Sequence, residues 1–318
     1  MSKSTAKYIL KRLVYALLTI IVLIAITFFM MHAIPGDPFI GDKALSDSAK
    51  AALEAQYGLD KPLIQQLFIY IANAFQGDFG QSIKYGREVI DIIGDSFPYS
   101  FELGVRALII AVFGGIGLGS LAAIKRGKKA DTIAMLVAVF GVSVPSFIVA
   151  ALLQYYLALQ LNTAIGTNIF PITGWNSEMS KILPAIALSL GPLAQISRLM
   201  RTSMLDVLNS DYIKTAKAKG LSQGMIIWRH ALRNACMPVL TVLGPITAGI
   251  LTGGFVVEQV FSIPGMGRYF VVSIKENDYT MIAGTTIFYG MFLIISVLII
   301  DILYGVVDPR VKLADSKE

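Results

Sequence analysis

Charge is scarce in this sequence. Asp, Glu, Lys and Arg supply 15% of its 318 residues and hydrophobic residues 55%, against roughly 25% charged in an ordinary soluble domain. Mean hydropathy is +0.67. That balance excludes a simple soluble globule. The single cysteine, Cys236, excludes an internal disulfide and a cysteine-based metal centre. It is expected to pack as a small apolar residue, with a redox role as the alternative. There are two histidines, His32 and His230. They fall on opposite sides of the membrane in the topology derived below, so they cannot share a metal. His230 is expected at a surface rather than in a proton relay. No Gly-x-x-x-x-Gly-Lys-Ser/Thr loop occurs, so the chain is not expected to hydrolyse ATP. No serine, histidine and aspartate set for acyl transfer is evident either. Ser143 sits in an apolar run without an obvious base and reads as a helix-packing hydroxyl.

What the chain has instead is long apolar runs. A helix of about 20 residues crosses the hydrocarbon layer. Lys3, Lys7, Lys11 and Arg12 precede an uncharged run from Leu13 to Met31. A secretory leader is the competing reading, but its apolar core is normally about 7–15 residues with a small-residue cleavage site. His32-Ala-Ile-Pro-Gly is not such a site, so a retained first span over 13–31 is expected, after a tail at 1–12. Residues 32–98 are polar and acidic, which places them outside. Pro35-Gly-Asp-Pro38 is a turn, Ser46 to Gln56 a short helix, and Tyr57-Gly-Leu-Asp-Lys-Pro62 a break. Leu63 to Phe75 is an amphipathic helix, Gly77-Asp-Phe-Gly80 another turn, and Val89 to Phe97 a further short helix.

Five more spans follow within 99–307. The second runs from about Tyr99 to Ile124. Its Glu102 and Arg106 are four apart and can pair on one face, as a structural pair or as a sensor of substrate. Gly114, Gly115, Gly117 and Gly119 have no strand–turn–helix context for a dinucleotide loop; they suit close helix packing. The third span runs from about Thr132 to Gln160, and Pro145 inside it should kink or break the helix. Trp175, in the next outer loop, is expected at the membrane interface. The fourth span runs from about Ile182 to Ser203 with Pro184 and Pro192, the fifth from Cys236 to Val257 with Pro245, and the sixth from about Tyr279 to Leu303. The basic residues of the tails, of 125–129 and of 204–235 then share one side. With six spans, both termini are cytoplasmic. Positive charge of +6 clustered this way argues for membrane orientation, not nucleic acid.

Between the fourth and fifth spans lies Asp211-Tyr-Ile-Lys-Thr-Ala-Lys-Ala-Lys-Gly220-Leu-Ser222, which reads as two short helices joined at Gly220. Asn209, Ser210 or Asp211 can cap the first, and Ser222 the second. Gly220 suits a left-handed terminus. Ala216 and Gly220 share a face and leave it bare for a partner.

This stretch resembles the EAA loop of ABC importer permeases. With Arg229-His-Ala-Leu-Arg-Asn-Ala235 and Pro238 it is similar to the peptide branch of that family. Lys214 and Thr215 stand where the name motif has its acidic residue and first alanine, and the motif's later proline is displaced to Pro238. Pro-Gly-Asp-Pro, Tyr-Gly-Leu-Asp-Lys-Pro, Gly-Asp-Phe-Gly, Ser143-Val-Pro-Ser-Phe147, Phe261-Ser-Ile-Pro-Gly-Met-Gly-Arg268 and Asp308-Pro-Arg-Val-Lys-Leu313 carry the same resemblance. It covers nearly the whole chain.

The resemblance implies an all-α membrane protein of six spans, the type I ABC importer permease fold, with an extracytoplasmic insertion after the first span. It implies oligopeptide or dipeptide import with a second homologous permease, two cytoplasmic ABC ATPases and an extracytoplasmic peptide-binding protein. Nickel or another small solute is the alternative cargo, and an ion-driven carrier or channel the alternative class. No cofactor is bound by this chain; ATP and Mg²⁺ belong to the ATPases. Asp211, Tyr212, Thr215, Ala216, Lys219, Gly220, Leu221 and Ser222 would couple to the ATPase, and Ser143, Pro145 and Phe147 are candidate pathway residues. The 308–318 tail closes the chain inside.

Overall fold

A computed structural model describes residues 3–33, 61–252 and 254–307. The expected turn at Pro35–Pro38, the helix from Ser46 to Gln56 and the closing Asp308–Leu313 segment lie outside the described residues. Among those described, all regular structure is helical apart from one isolated antiparallel bridge between Gln81 and Glu88. Six segments are long and apolar enough to cross a bilayer: Tyr8–Ala33, Val89–Ile124, Ser146–Ile165, Glu178–Leu208, Met237–Val260 and Tyr279–Ile300. The helices used below are α1 (Lys3–Ala33), α2 (Leu63–Gln76), α3 (Val89–Ile124), α4 (Lys129–Ser143), α5 (Ser146–Ile165), α6 (Glu178–Leu208) and α7 (Asp211–Ala218). They continue as α8 (223–235), α9 (Met237–Thr252), α10 (Phe255–Val260), α11 (Met266–Lys275) and α12 (Tyr279–Val307).

The helices group into two compact units, one from the described parts of Met1–Pro98 and Gly265–Glu318, the other from Tyr99–Pro264. In the first unit α1 packs along α12 and against α2. Helix α2 ends on Gly77, whose φ of 79° is open to glycine without a Cβ clash. In the following turn the Gly80 N–H donates to Asp78 Oδ1 at 2.9 Å. Asp278 precedes α12 and serves as its cap. Its carboxylate accepts from the Met281 N–H at 3.0 Å, from the Lys84 N–H at 3.1 Å and from the Ser82 hydroxyl. One buried side chain thus starts the last span and holds the 82–84 loop beside it.

The second unit is organised around α6. Ser177 and Ser180 form a reciprocal capping box at its start. It buries residues from Ser180 to Met204 and packs against α4, α5 and α9. Helix α3 approaches it closely: a Cβ on Gly119 would lie 2.4 Å from the Ser197 carbonyl oxygen, and one on Gly115 would lie 2.7 Å from Ile196. These two glycines serve close packing as expected. Nothing comes within 4 Å of a Cβ at Gly117, which faces away.

Three expectations need correction. Val89–Phe97 is not a separate helix but the first part of α3, with Pro98 inside it. A proline removes one N–H without ending a helix whose neighbours keep helical torsions. The third span is not continuous from Thr132 to Gln160. Val144 is extended, with φ −100° and ψ 122°, and Pro145 opens a new helix. The residue before proline is pushed from helical to extended backbone, which is why the break falls there. Trp175 is packed inside the chain and does not face outward. It is 7% exposed, and its indole N–H donates to Glu102 Oε2 at 2.9 Å.

Candidate functional site

The basic loop after α6 is ordered by short-range signals. Ser210 occupies the N-cap position of α7, but its hydroxyl donates to the Val207 carbonyl at 2.6 Å instead of capping. Gly220 has φ 76° and ends the turn. The Ser222 hydroxyl accepts from the Met225 N–H at 3.4 Å and starts α8. Within α8 residues Ile226–Ala231 form a π-helical turn. The Asn234 side chain donates to the Tyr212 hydroxyl at 3.0 Å and ties the two short helices together. The Lys214–Asp211 pair at 2.8 Å is exposed and adds little.

Packing beneath the loop overturns one expectation. Ala216 is 8% exposed and Ile213 fully buried. Both join the apolar core that includes Met200 and Met204 of α6. The face of α7 that carries Ala216 is therefore turned into the protein, not left bare. What α7 and its turn present outward is Asp211, Tyr212, Lys214, Thr215, Lys217, Ala218, Lys219, Gly220 and Ser222, with Leu221 half-buried. The helix that α7 packs against most is α8, through its π-helical turn.

A cleft of about 500 Å³ opens elsewhere in the same unit, where the α4–α5 break meets α6 and α9. Pro145, Pro192 and Pro245 all line it, with Ser146 and Gln195 as its polar side chains. Of the three candidate pathway residues it contains Pro145. Ser143 and Phe147 flank the break, are exposed, and do not line the cleft.

Sequence reasoning missed one ionic device and saw only part of another. Arg201 donates from Nε to Asp131 Oδ1 at 2.7 Å and from a terminal nitrogen to Oδ2 at 2.8 Å. Gly127 N–H adds a bond to Oδ2 at 3.0 Å. The Arg201 bonds, aided by Gly127, hold the Asp131 carboxyl down at about 2. At the other end of the unit the expected Glu102–Arg106 pair is present at 2.7 Å. It is enlarged by Lys181, which reaches Glu102 and Glu178 at 3.0 Å each, and by Arg106 to Glu178 at 2.8 Å. The four-residue spacing of Glu102 and Arg106 and the three-residue spacing of Glu178 and Lys181 are local signals; that the two pairs join comes from distant sequence.

Comparison with known proteins places this architecture. The family described as binding-protein-dependent transport system inner membrane component matches residues 115–313, and its N-terminal membrane component matches residues 5–104. The dipeptide transport system permease protein DppB of Bacillus subtilis (strain 168) is 48% identical over 309 residues, covering 97% of this chain and 98% of the relative. The oligopeptide transport system permease protein OppB of Haemophilus influenzae is 43% identical over 309 residues, covering 96% and 99%. Among solved structures, the MetNI methionine ABC transporter in inward-facing conformations aligns with a TM-score of 0.52 at 15% identity, over 70% of this chain and 95% of that chain. That likeness concerns the fold. The chain belongs to the binding-protein-dependent transport system inner membrane component family and has the fold of an ABC importer permease.

Proposed function

We propose that this chain forms the membrane pathway of an ATP-driven importer for dipeptides or oligopeptides. The observation that carries the cargo class is near end-to-end similarity to permeases named for dipeptide and oligopeptide transport. In this reading the chain pairs with a second permease of like topology. Two cytoplasmic ATPases hold ATP and Mg²⁺, and an extracytoplasmic binding protein delivers peptide. Both termini and the 204–235 loop lie in the cytoplasm, as the clustering of basic residues requires.

Helix α7 is the handle. Its outward residues, Tyr212, Thr215 and Lys219, meet the ATPase, while Ile213 and Ala216 bed it in the apolar core. Closure of the ATPase pair on ATP displaces α7 and with it α8, which packs against both α7 and α6. Helix α6 also lines the cleft, so a push at the loop reaches the pathway along α6. ATP shifts the balance of inward-open and outward-open states only through its unequal affinity for them.

Reconstitution tests this reading. The complete importer, purified through a tag on this chain with its binding protein, is expected to accumulate labelled dialanine in ATP-loaded proteoliposomes and not Ni²⁺. Accumulation of Ni²⁺ without dialanine would move the assignment to a metal importer. Uptake by this chain without the ATPases would move it to a carrier or channel.

A further inference from the structure

The cleft is lined by a broken helix pair, α4–α5, and by two continuous helices that each carry a proline inside, α6 and α9. Pro145, Pro192 and Pro245 come from three different places in the chain and converge on one opening of about 500 Å³. That volume falls within the range of small-ligand sites, roughly 300–1,000 Å³. A proline has no N–H for the carbonyl four residues earlier. Pro192 therefore withholds a helical bond from the Leu188 carbonyl, and Pro145 withholds one from the Gly141 carbonyl. Gly141 and Leu188 both line the cleft. The side chain of Gln195 is exposed into it, well inside the α6 span, and makes no hydrogen bond among the described residues. A polar side chain at that depth belongs on a wet path or against a partner, not against lipid.

The lining is mostly apolar, and the polar groups it does hold are neutral: the Gln195 amide, the Ser146 hydroxyl and the backbone of Gly141 and Leu188, whose carbonyls lack a helical donor. It has no carboxylate, ammonium, guanidinium, imidazole or thiol. A divalent cation finds none of its usual side-chain ligands there. A charged cargo side chain finds no counter-ion. What the lining does suit is a row of neutral N–H donors. An extended peptide backbone presents such a row whatever its side chains.

Resting on the peptide-importer reading, we infer that this cleft is a transient binding site for cargo peptide. It recognises backbone N–H groups through Gln195 and the carbonyls of Gly141 and Leu188, and is indifferent to cargo side chains. Gln195 is the side chain that contributes most to this recognition.

The test uses the complete importer in ATP-loaded proteoliposomes, with trialanine and trialanine N-methylated at its central amide. Wild-type protein should import trialanine, and Gln195→Leu should import it about fivefold more slowly, the usual worth of one hydrogen bond. N-methylation also acts at the binding protein, so the informative quantity is the ratio between permease forms. The N-methyl penalty should be smaller in Gln195→Leu than in wild type. Equal trialanine uptake with an unchanged N-methyl penalty overturns the inference and leaves the importer reading standing. Failure of the wild-type importer to accumulate either dialanine or trialanine overturns the peptide reading and this inference with it. A second measurement covers a variant that does not assemble. A tripeptide with a central benzophenone side chain is photolysed on the wild-type complex during turnover. Adducts in segments 141–149 or 187–195 that trialanine suppresses support the site, and adducts confined to other segments overturn it.

Discussion

Asp131 and Arg201 stand 70 positions apart and meet in a two-bonded fork, at 2.7 and 2.8 Å. The Asp131 side chain is 9% exposed and that of Arg201 26%. The fork fastens the start of α4 to α6, three residues before Met204, the last buried side chain of that helix. Arg201→Ala should leave a nearly buried carboxylate unpaired and cost about 3 kcal/mol. Arg201→Lys should recover only part of that, because an ammonium cannot reproduce the fork. Thermal unfolding of the detergent-solubilised complex measures both. Equal midpoints for Arg201→Ala and wild type would show the fork to be ornamental.

The same pair has a signed pH dependence. The folded carboxyl of Asp131 titrates at about 2, below its ordinary 3.8. A carboxyl depressed on folding stabilises above its unfolded value, and that stabilisation is lost as pH falls toward its folded value. The stability difference between wild type and Asp131→Asn should therefore be constant from neutral pH to about pH 5. It should then shrink as acid brings the pH from about 4 toward 2. A difference that changed between pH 6 and 8 would point to another group.

Two glycines on α3 should respond oppositely to alanine. At Gly119 the new methyl would meet the Ser197 carbonyl oxygen at 2.4 Å and the Met200 Cβ at 2.7 Å, neither of which is the free end of a side chain. Gly119→Ala should destabilise by about 1–3 kcal/mol through overpacking. At Gly117 the methyl meets nothing within 4 Å, and Gly117→Ala should be neutral or stabilise by up to about 1 kcal/mol through helix propensity. Denaturation curves that ranked the two variants the other way would contradict the packing of α3 on α6.

Gly220 separates backbone effects from crowding. A Cβ there has open space, yet φ is 76°. Asparagine tolerates that backbone and β-branched residues do not. Gly220→Asn should retain most ATP-driven uptake, while Gly220→Val should lose most uptake and keep ATPase activity, because the turn after α7 is misdirected. Equal uptake by both variants would remove the turn from the coupling mechanism.

Asp278 joins loop and span within its unit. Asp278→Ala removes acceptors from the Ser82 hydroxyl and from the N–H groups of Lys84 and Met281. A loss of about 2 kcal/mol is expected. Proteolytic cleavage near 82–86 should become faster, and unchanged cleavage there would argue that the loop is held by other contacts.

What could be read from the sequence was local. Apolar runs marked five of the six spans nearly where they lie. The third, read as one helix across Pro145, is two, because the displacement of Val144 from helical backbone decides the break. Gly220 and Ser222 announced their roles through residue chemistry alone. Ser210 did not, since the Val207 carbonyl competes for its hydroxyl. Ala216 was misread because the burial of one face of an eight-residue helix depends on what lies beneath it. Trp175 and Glu102 are 73 residues apart, and nothing in either neighbourhood announces the bond. The prolines at 145, 192 and 245 were each visible, but their convergence on one cleft is a property of packing around α6.

The most direct measurement is uptake of labelled dialanine by proteoliposomes, with this chain either in its purified complete complex or alone. The account predicts accumulation that requires ATP, the binding protein and ATPase subunits seated against residues 211–222, and none from the chain by itself. Dialanine accumulation by the isolated chain, or by a complex whose ATPase subunits have been stripped away, would contradict it.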